Sequence, residues 1–150
     1  GSHKVSENVS VIFDKEQGQG LDKIETYHSF KANCEKSRND LVALLNILKS
    51  EGKRVVGYAA TSKSTTVTNY CGIGPELIEF ISDTTPIKQD KLSPGAHIPV
   101  KSYTEFSKNM PEYALLFAWN HAKEIFENEE AFKAQGGKWI SFVPKVEIIE

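Results

Sequence analysis

Lys63, Ser64, Thr65 and Thr66 place one ammonium and three hydroxyls on four consecutive residues of a 150-residue chain. Hydroxyl side chains are poor choices inside a helix but good helix caps and anion ligands, so they belong at a helix start. They stand within residues 54–73, RVVGYAATSKSTTVTNYCGI, where a short apolar run enters a turn of small and hydroxyl residues and then a helix-compatible segment. A strand delivered into such a turn gathers backbone N–H groups, hydroxyls and a lysine where a phosphate can sit. The chemistry this suggests is the gripping of a phosphorylated small molecule, most readily a nucleotide. A solvated capping turn would use the same residues.

Two familiar phosphate loops do not fit. The dinucleotide fingerprint GxGxxG fails because Ala59 and Ser62 stand where glycines would be, which argues against NAD or FAD. The Walker A pattern is nearly met by GYAATSKS, residues 57–64, but Ser62 replaces the second glycine, whose backbone must approach the phosphates.

The elements that must position this turn alternate in type. Residues 9–13 read as a strand from Val9, Val11 and Phe13, with Ile12 blurring the alternation, and residues 15–20 read as a polar linker. Residues 26–50 form a long amphipathic helix with Phe30, Cys34, Leu41, Leu44, Leu45 and Leu48 near one face, closed by Gly52. Strand 55–58 follows, then helix 64–71 stopped by Gly72 and strand 77–82 ending at Asp83. Residues 84–98 are a loop long enough to suggest function. A short helix at 102–109 has Ser102 or Thr104 as its cap. Strand 113–118, helix 120–135 broken near Asn128, and strand 139–143 ended by Pro144 complete the reading. Continuously apolar strands alternating with helices predict an α/β domain, Rossmann-like and doubly wound, its mainly parallel sheet covered on both faces.

Composition narrows the partners. A net charge of −2 gives no footprint for nucleic acid or an anionic membrane, and no apolar run approaches the roughly 20 residues of a bilayer span. Two cysteines, Cys34 and Cys71, are too few for a disulfide framework and have no metal-ligand spacing, so a reducing cytoplasm is expected. Cys71 is expected to pack, His28 and His121 to lie on the surface, and Trp119 and Trp139 to be core residues rather than stacking platforms. Gly1-Ser2-His3 looks like an expression scar.

In an open parallel sheet, ligands bind beyond the carboxyl ends of the strands where the strand order reverses. That rule adds Asp83, a candidate for ribose hydroxyls or else a cap, and Asn120, a candidate ligand or else a helix cap. His97, in PGAHIP, is held between prolines as a candidate proton donor or sugar-hydroxyl partner; a hydrogen-bonded loop histidine is the alternative.

GYAATSKSTTVTNYCGIG, DTTPIKQDKLSPGAHIPV, YALLFAWN and GGKWISFVP, in this order, resemble the C-terminal domain of the three-domain, SAM-dependent nucleotide-sugar C-methyltransferases, over residues 21–144. The resemblance implies a Rossmann-like domain that helps hold a nucleotide-linked ketosugar, behind a zinc-binding module and a SAM-binding methyltransferase domain. It implies that Lys63, Ser64, Thr65, Thr66 and Asn69 face the nucleotide diphosphate, and that Lys88, His97 and Asn120 line a cleft against the methyltransferase domain of the same chain. Ala59 departs from the family's usual glycine. Residues 1–20 are then expected to be the scar plus a residual strand and linker of the preceding domain, and residues 21–150 the sugar-nucleotide domain. C-methylation needs proton abstraction beside a carbonyl and an aligned methyl donor. No SAM site, zinc cluster or catalytic motif of the middle domain is legible here, so neither cofactor nor metal is expected in this chain, and it is expected to be inert alone. A free-standing P-loop-like enzyme and a non-catalytic interaction domain are the competing readings.

Overall fold

Ser6 accepts a hydrogen bond from the Asn8 amide at 3.2 Å and thereby opens a helix where a strand was expected. A computed structural model describes residues 5–150, leaving the expected scar at residues 1–3 outside the described part. Helix α1 (Glu7–Gly18) replaces both the expected strand and the expected linker. Val9, Ile12 and Phe13 fit i, i+3, i+4 helical spacing, so Ile12, which spoiled the strand alternation, was the discriminating residue. Helix α2 (Ile24–Ser50) follows, and the chain divides into two compact units at residue 36.

The second unit is an α/β domain built on a seven-stranded, mostly parallel sheet. Its strands are β1 (Val55–Tyr58), β2 (Ile81–Asp83), β3 (Lys91–Leu92), β4 (Pro99–Ser102), β5 (Tyr113–Leu116), β6 (Lys138–Ser141) and β7 (Glu147–Ile149). They lie in the order β3-β4-β2-β1-β5-β6-β7. The five central strands are parallel, and β3 and β7 are antiparallel edges. From β1 the chain steps through helix α3 (Ser62–Cys71) to β2 on one side. From β5 it steps through helices α5 (Ala122–Asn128) and α6 (Glu130–Ala134) to β6 on the other. The order therefore reverses between β1 and β5, as a doubly wound fold requires.

Both faces of the sheet are covered, which is why the central strands read as unbroken apolar runs. Leu41, Leu45 and Leu48 of α2 join Val55, Ile81, Leu115 and Ile140 in one buried cluster. Phe106, from helix α4 (Tyr103–Lys108), and Phe132 of α6 join Val56, Phe80, Leu116 and Trp139 in the other. The sequence reading lacked β3, β4 and β7. Proline, lysine and serine make up three of the four residues of β4, and only its parallel register with β2 identifies it. The expected strand 77–82 shortens to β2, although the Gly57 amide already donates to Phe80 O and the Glu79 amide to Val55 O.

Gly57 sits where β1 is squeezed from the side. A Cβ there would lie 2.7 Å from the Phe117 ring and 3.0 Å from Ile81 Cγ1, and both side chains are buried. Gly57→Ala is therefore expected to cost about 1–3 kcal/mol through overpacking, read as a lower urea midpoint with an unchanged denaturant slope.

Candidate functional site

β1 delivers the chain to Ala59, whose φ of 73° is a left-handed conformation that an L side chain adopts at a cost of about 1–2 kcal/mol. Neighbouring bonds hold it there. The Ala59 amide donates to Ser82 O at 2.8 Å, and the Ala60 amide donates to Asp83 Oδ2 at 2.8 Å. Asp83, only 7% exposed, also accepts the Thr85 amide on Oδ1 at 2.8 Å and the Lys88 ammonium on Oδ2 at 3.1 Å. Lys88 donates again to Ala60 O at 2.8 Å. Burial alone would raise the Asp83 carboxyl. Hydrogen bonds from Thr85 and the Lys88 ammonium outweigh it and hold the group below the usual carboxylate range. Asp83 thus braces the loops leaving β1 and β2, with its oxygens turned to the chain.

Helix α3 begins at Ser62, two residues beyond Ala60. Thr61 caps it, accepting the Ser64 amide on Oγ1 at 3.2 Å. Ser64 is 2% exposed and returns its hydroxyl to Thr61 O at 2.6 Å. Thr66 Oγ1 donates to Ser62 O at 3.1 Å, and Asn69 Nδ2 donates to both Thr65 O and Pro94 O. The hydroxyls of Ser64 and Thr66 and the Asn69 amide are thus engaged with the backbone, Asn69 tying the residue 93–98 turn to the helix. Gly72, with φ 66°, closes the helix as the sequence suggested.

The expected residues separate into two places. A cavity of about 190 Å³ beside the start of α3 is lined by Ala60, Thr61, Ser64, Thr65, Lys88 and Pro94, among others. The second place lies at the reversal of strand order. There Lys63 holds its ammonium 5.7 Å from the centre of the Trp119 ring. Among the described residues, Lys63 has no carboxylate within ion-pair distance. Trp119 opens the 3-10 turn that follows β5 and is 39% exposed, which corrects the expectation of a core residue; Trp139 is buried as expected. Asn120 is exposed in the same turn. His97 joins neither group. It is exposed with φ 55°, and its amide donates to Ser93 O at the tip of the β3–β4 connection.

The sequence reading missed another carboxylate. Glu129, 4% exposed at the break between α5 and α6, accepts the Tyr58 hydroxyl at 2.6 Å and the Tyr103 hydroxyl at 3.0 Å. Burial and Glu129 push both phenols above their ordinary range. This clamp ties the exit of β1 to α4 and to the α5–α6 break. Cys71 is a packing residue, half-buried against the core, with burial pushing its thiol up. Among the described residues, no group of three or more His, Cys, Asp or Glu side chains is placed to hold a metal ion. None of their helices is long and apolar enough to cross a membrane.

Residues 1–144 match the family described as the C-methyltransferase C-terminal domain. The chain belongs to that family. It is 37% identical over 147 residues to C-methyltransferase NovU of Streptomyces niveus, a match covering 98% of this chain and 35% of that protein. The chain thus spans about a third of the relative's length. The matched span includes α1, α2 and strands β1 to β6, so the family pattern extends over both units.

Two substitutions test how this C-terminal domain holds its carboxyl edge. Ala59→Gly should relieve the left-handed strain and raise stability by about 0.5–1 kcal/mol, after allowance for glycine's greater unfolded-state entropy. The Asp83 carboxyl has a lower pKa folded than unfolded. Its contribution is therefore present above the unfolded value of about 3.9 and is lost as pH falls through the folded value. Asp83→Asn should cost about 1.5–3 kcal/mol at neutral pH, the range for hydrogen bonds to a charged group. The gap between the wild-type and variant stability curves, measured by denaturation from pH 7 to 3, should narrow below about pH 4.

Proposed function

We propose that this domain grips the nucleotide part of a nucleotide-linked ketosugar on behalf of a SAM-dependent C-methyltransferase in a longer polypeptide, whose upstream methyltransferase domain is its partner. The observation that carries the reading is the Lys63 ammonium. It stands at the reversal of strand order, at the start of α3, over a half-exposed tryptophan ring and, among the described residues, with no carboxylate within ion-pair distance. An ammonium in that position is available to a phosphate, and the first-turn amides of α3 point the same way.

The roles follow from what each group has left to offer. Lys63 supplies charge to the diphosphate, together with the half-buried Thr65 and the helix start. Trp119 offers an aromatic face to the base or sugar ring, and Asn120 a hydrogen-bonding amide beside it. Lys88 spends two of its three N–H donors on Asp83 and Ala60, leaving one for the cavity. Asp83, Ser64, Thr66 and Asn69 shape the rim through their bonds to the chain. His97, exposed at the tip of the β3–β4 connection, is proposed as a sugar contact. When bound upstream, SAM supplies the electrophilic methyl group. The residues of this domain bind and orient the acceptor, and with no SAM site of their own they transfer no methyl group alone. Two free cysteines suit a reducing cytoplasm.

A panel of dTDP-, UDP- and GDP-sugars should raise the melting temperature of the protein, by about 1.4 kcal/mol of stability at ligand near ten times Kd. Lys63→Ala should weaken that affinity about tenfold. Binding should also change the fluorescence of Trp119, and Trp119→Phe should abolish the change while buried Trp139 stays silent. Stabilisation by ATP with magnesium beyond any sugar nucleotide would instead favour a P-loop-like enzyme. No response to either would favour an interaction domain. Calorimetry on the 150-residue chain with SAM should give no binding heat.

A further inference from the structure

Helix α1 is twelve residues long and buries no side chain. A helix of that length gains little from hydrogen bonding alone in water and is normally held by an apolar face packed on something. The face exists and is bare. Val9, Ile12 and Phe13 fall on one side of α1, and all are more than half exposed, as is Val5 just before the helix. The opening turns of α2 carry a second bare stripe, Ile24, Tyr27 and Phe30, with Phe30 68% exposed. The spacing that takes Leu41, Leu45 and Leu48 into the core recurs upstream as Tyr27, Phe30 and Cys34. Large apolar side chains grouped in this way mark an interaction surface.

We infer that the apolar faces of α1 and of the first turns of α2 dock the polypeptide that precedes this domain in the longer methyltransferase. The inference rests on the proposed parent enzyme and is independent of the nucleotide reading. The family pattern includes both helices, so they belong to the domain's common design. The matched relative devotes 35% of its length to this region, and the family places it C-terminally, which puts the remaining length next to α1 in the same chain. A tethered segment faces these stripes at an effective concentration near the millimolar range, far above that of a second free copy.

The test is hydrogen–deuterium exchange on the full-length protein. Amides of residues 7–18 and 24–30 are expected to exchange at least tenfold more slowly than an unprotected helix. Ile12→Glu with Phe13→Glu, and separately Phe30→Glu, should remove that protection while β1 and β5 stay protected, the sign of an intact fold. Val11→Glu, on the opposite side of α1, should change nothing. Exchange of the wild-type helices at unprotected rates would overturn the proposal. Protection that grows with protein concentration alongside a doubling of mass would also overturn it, in favour of a second copy. Sugar-nucleotide melting shifts on the same samples report the Lys63 site separately, so either reading can fail without the other.

Discussion

The carboxyl edge of the sheet depends on one buried carboxylate. Asp83 ends β2, and its two oxygens take the Ala60 amide, the Thr85 amide and the Lys88 ammonium. Without it, the half-buried turn leaving β1 would keep a backbone N–H with no acceptor, a cost of about 1–3 kcal/mol before the ammonium is counted. Burying an unpaired carboxylate would be worse still, so the three donors and the acid stabilise one another or none does. The left-handed Ala59 follows from this arrangement. With its own amide on Ser82 O and the next on Asp83, the backbone can turn only one way, and the local strain is met by bonds on both sides.

A second carboxylate fixes the opposite face by other means. Glu129 accepts two phenolic hydroxyls and, among the described residues, has no cation within ion-pair distance. Tyr58 and Tyr103 bring rings as well as donors, so the clamp is continuous with the aromatic packing of Phe106 and Trp139. Both clamps begin at the end of β1, one through Tyr58 and one through Ala60. Because they pull on residues only two apart, the strand exit is anchored to both faces of the fold, and the start of α3 is held in place for whatever it meets.

What the sequence made legible was periodicity and punctuation. Gly52 and Gly72 ended α2 and α3, the run 113–118 gave a central strand, and Asn128 marked the α5–α6 break to within a residue. What it hid were elements whose identity is decided by distant partners. β4 is half polar and becomes a strand through β2; β7 exists through β6. Residues 9–13 misled because β-branched side chains suit a strand, while Ser6 and Glu7, which begin the helix, lie outside the window. In the candidate site, Trp119 was hidden by its apolar neighbours. Its place immediately after an apolar run, where a strand exits, was the available signal. Glu129 gave none, since a glutamate in an acidic helical stretch looks solvated until two tyrosines from elsewhere arrive.

The hydroxyl-rich turn shows why residue type alone underdetermines a binding site. Each hydroxyl that can hold a phosphate can also hold a helix start, and the nearer acceptor wins because it needs no ligand to be ordered. Thr61, Ser64 and Thr66 take that local option. What remains outward is what the backbone cannot use: an ammonium on a flexible stem, the first amides of a helix already aligned, and an indole face. These are long-reach or fixed-dipole groups. Their strength is attraction and orientation more than detailed hydrogen-bond discrimination. In the proposed function, these groups would take the charged and planar part of the ligand and leave the reacting carbon to groups supplied by the upstream domain.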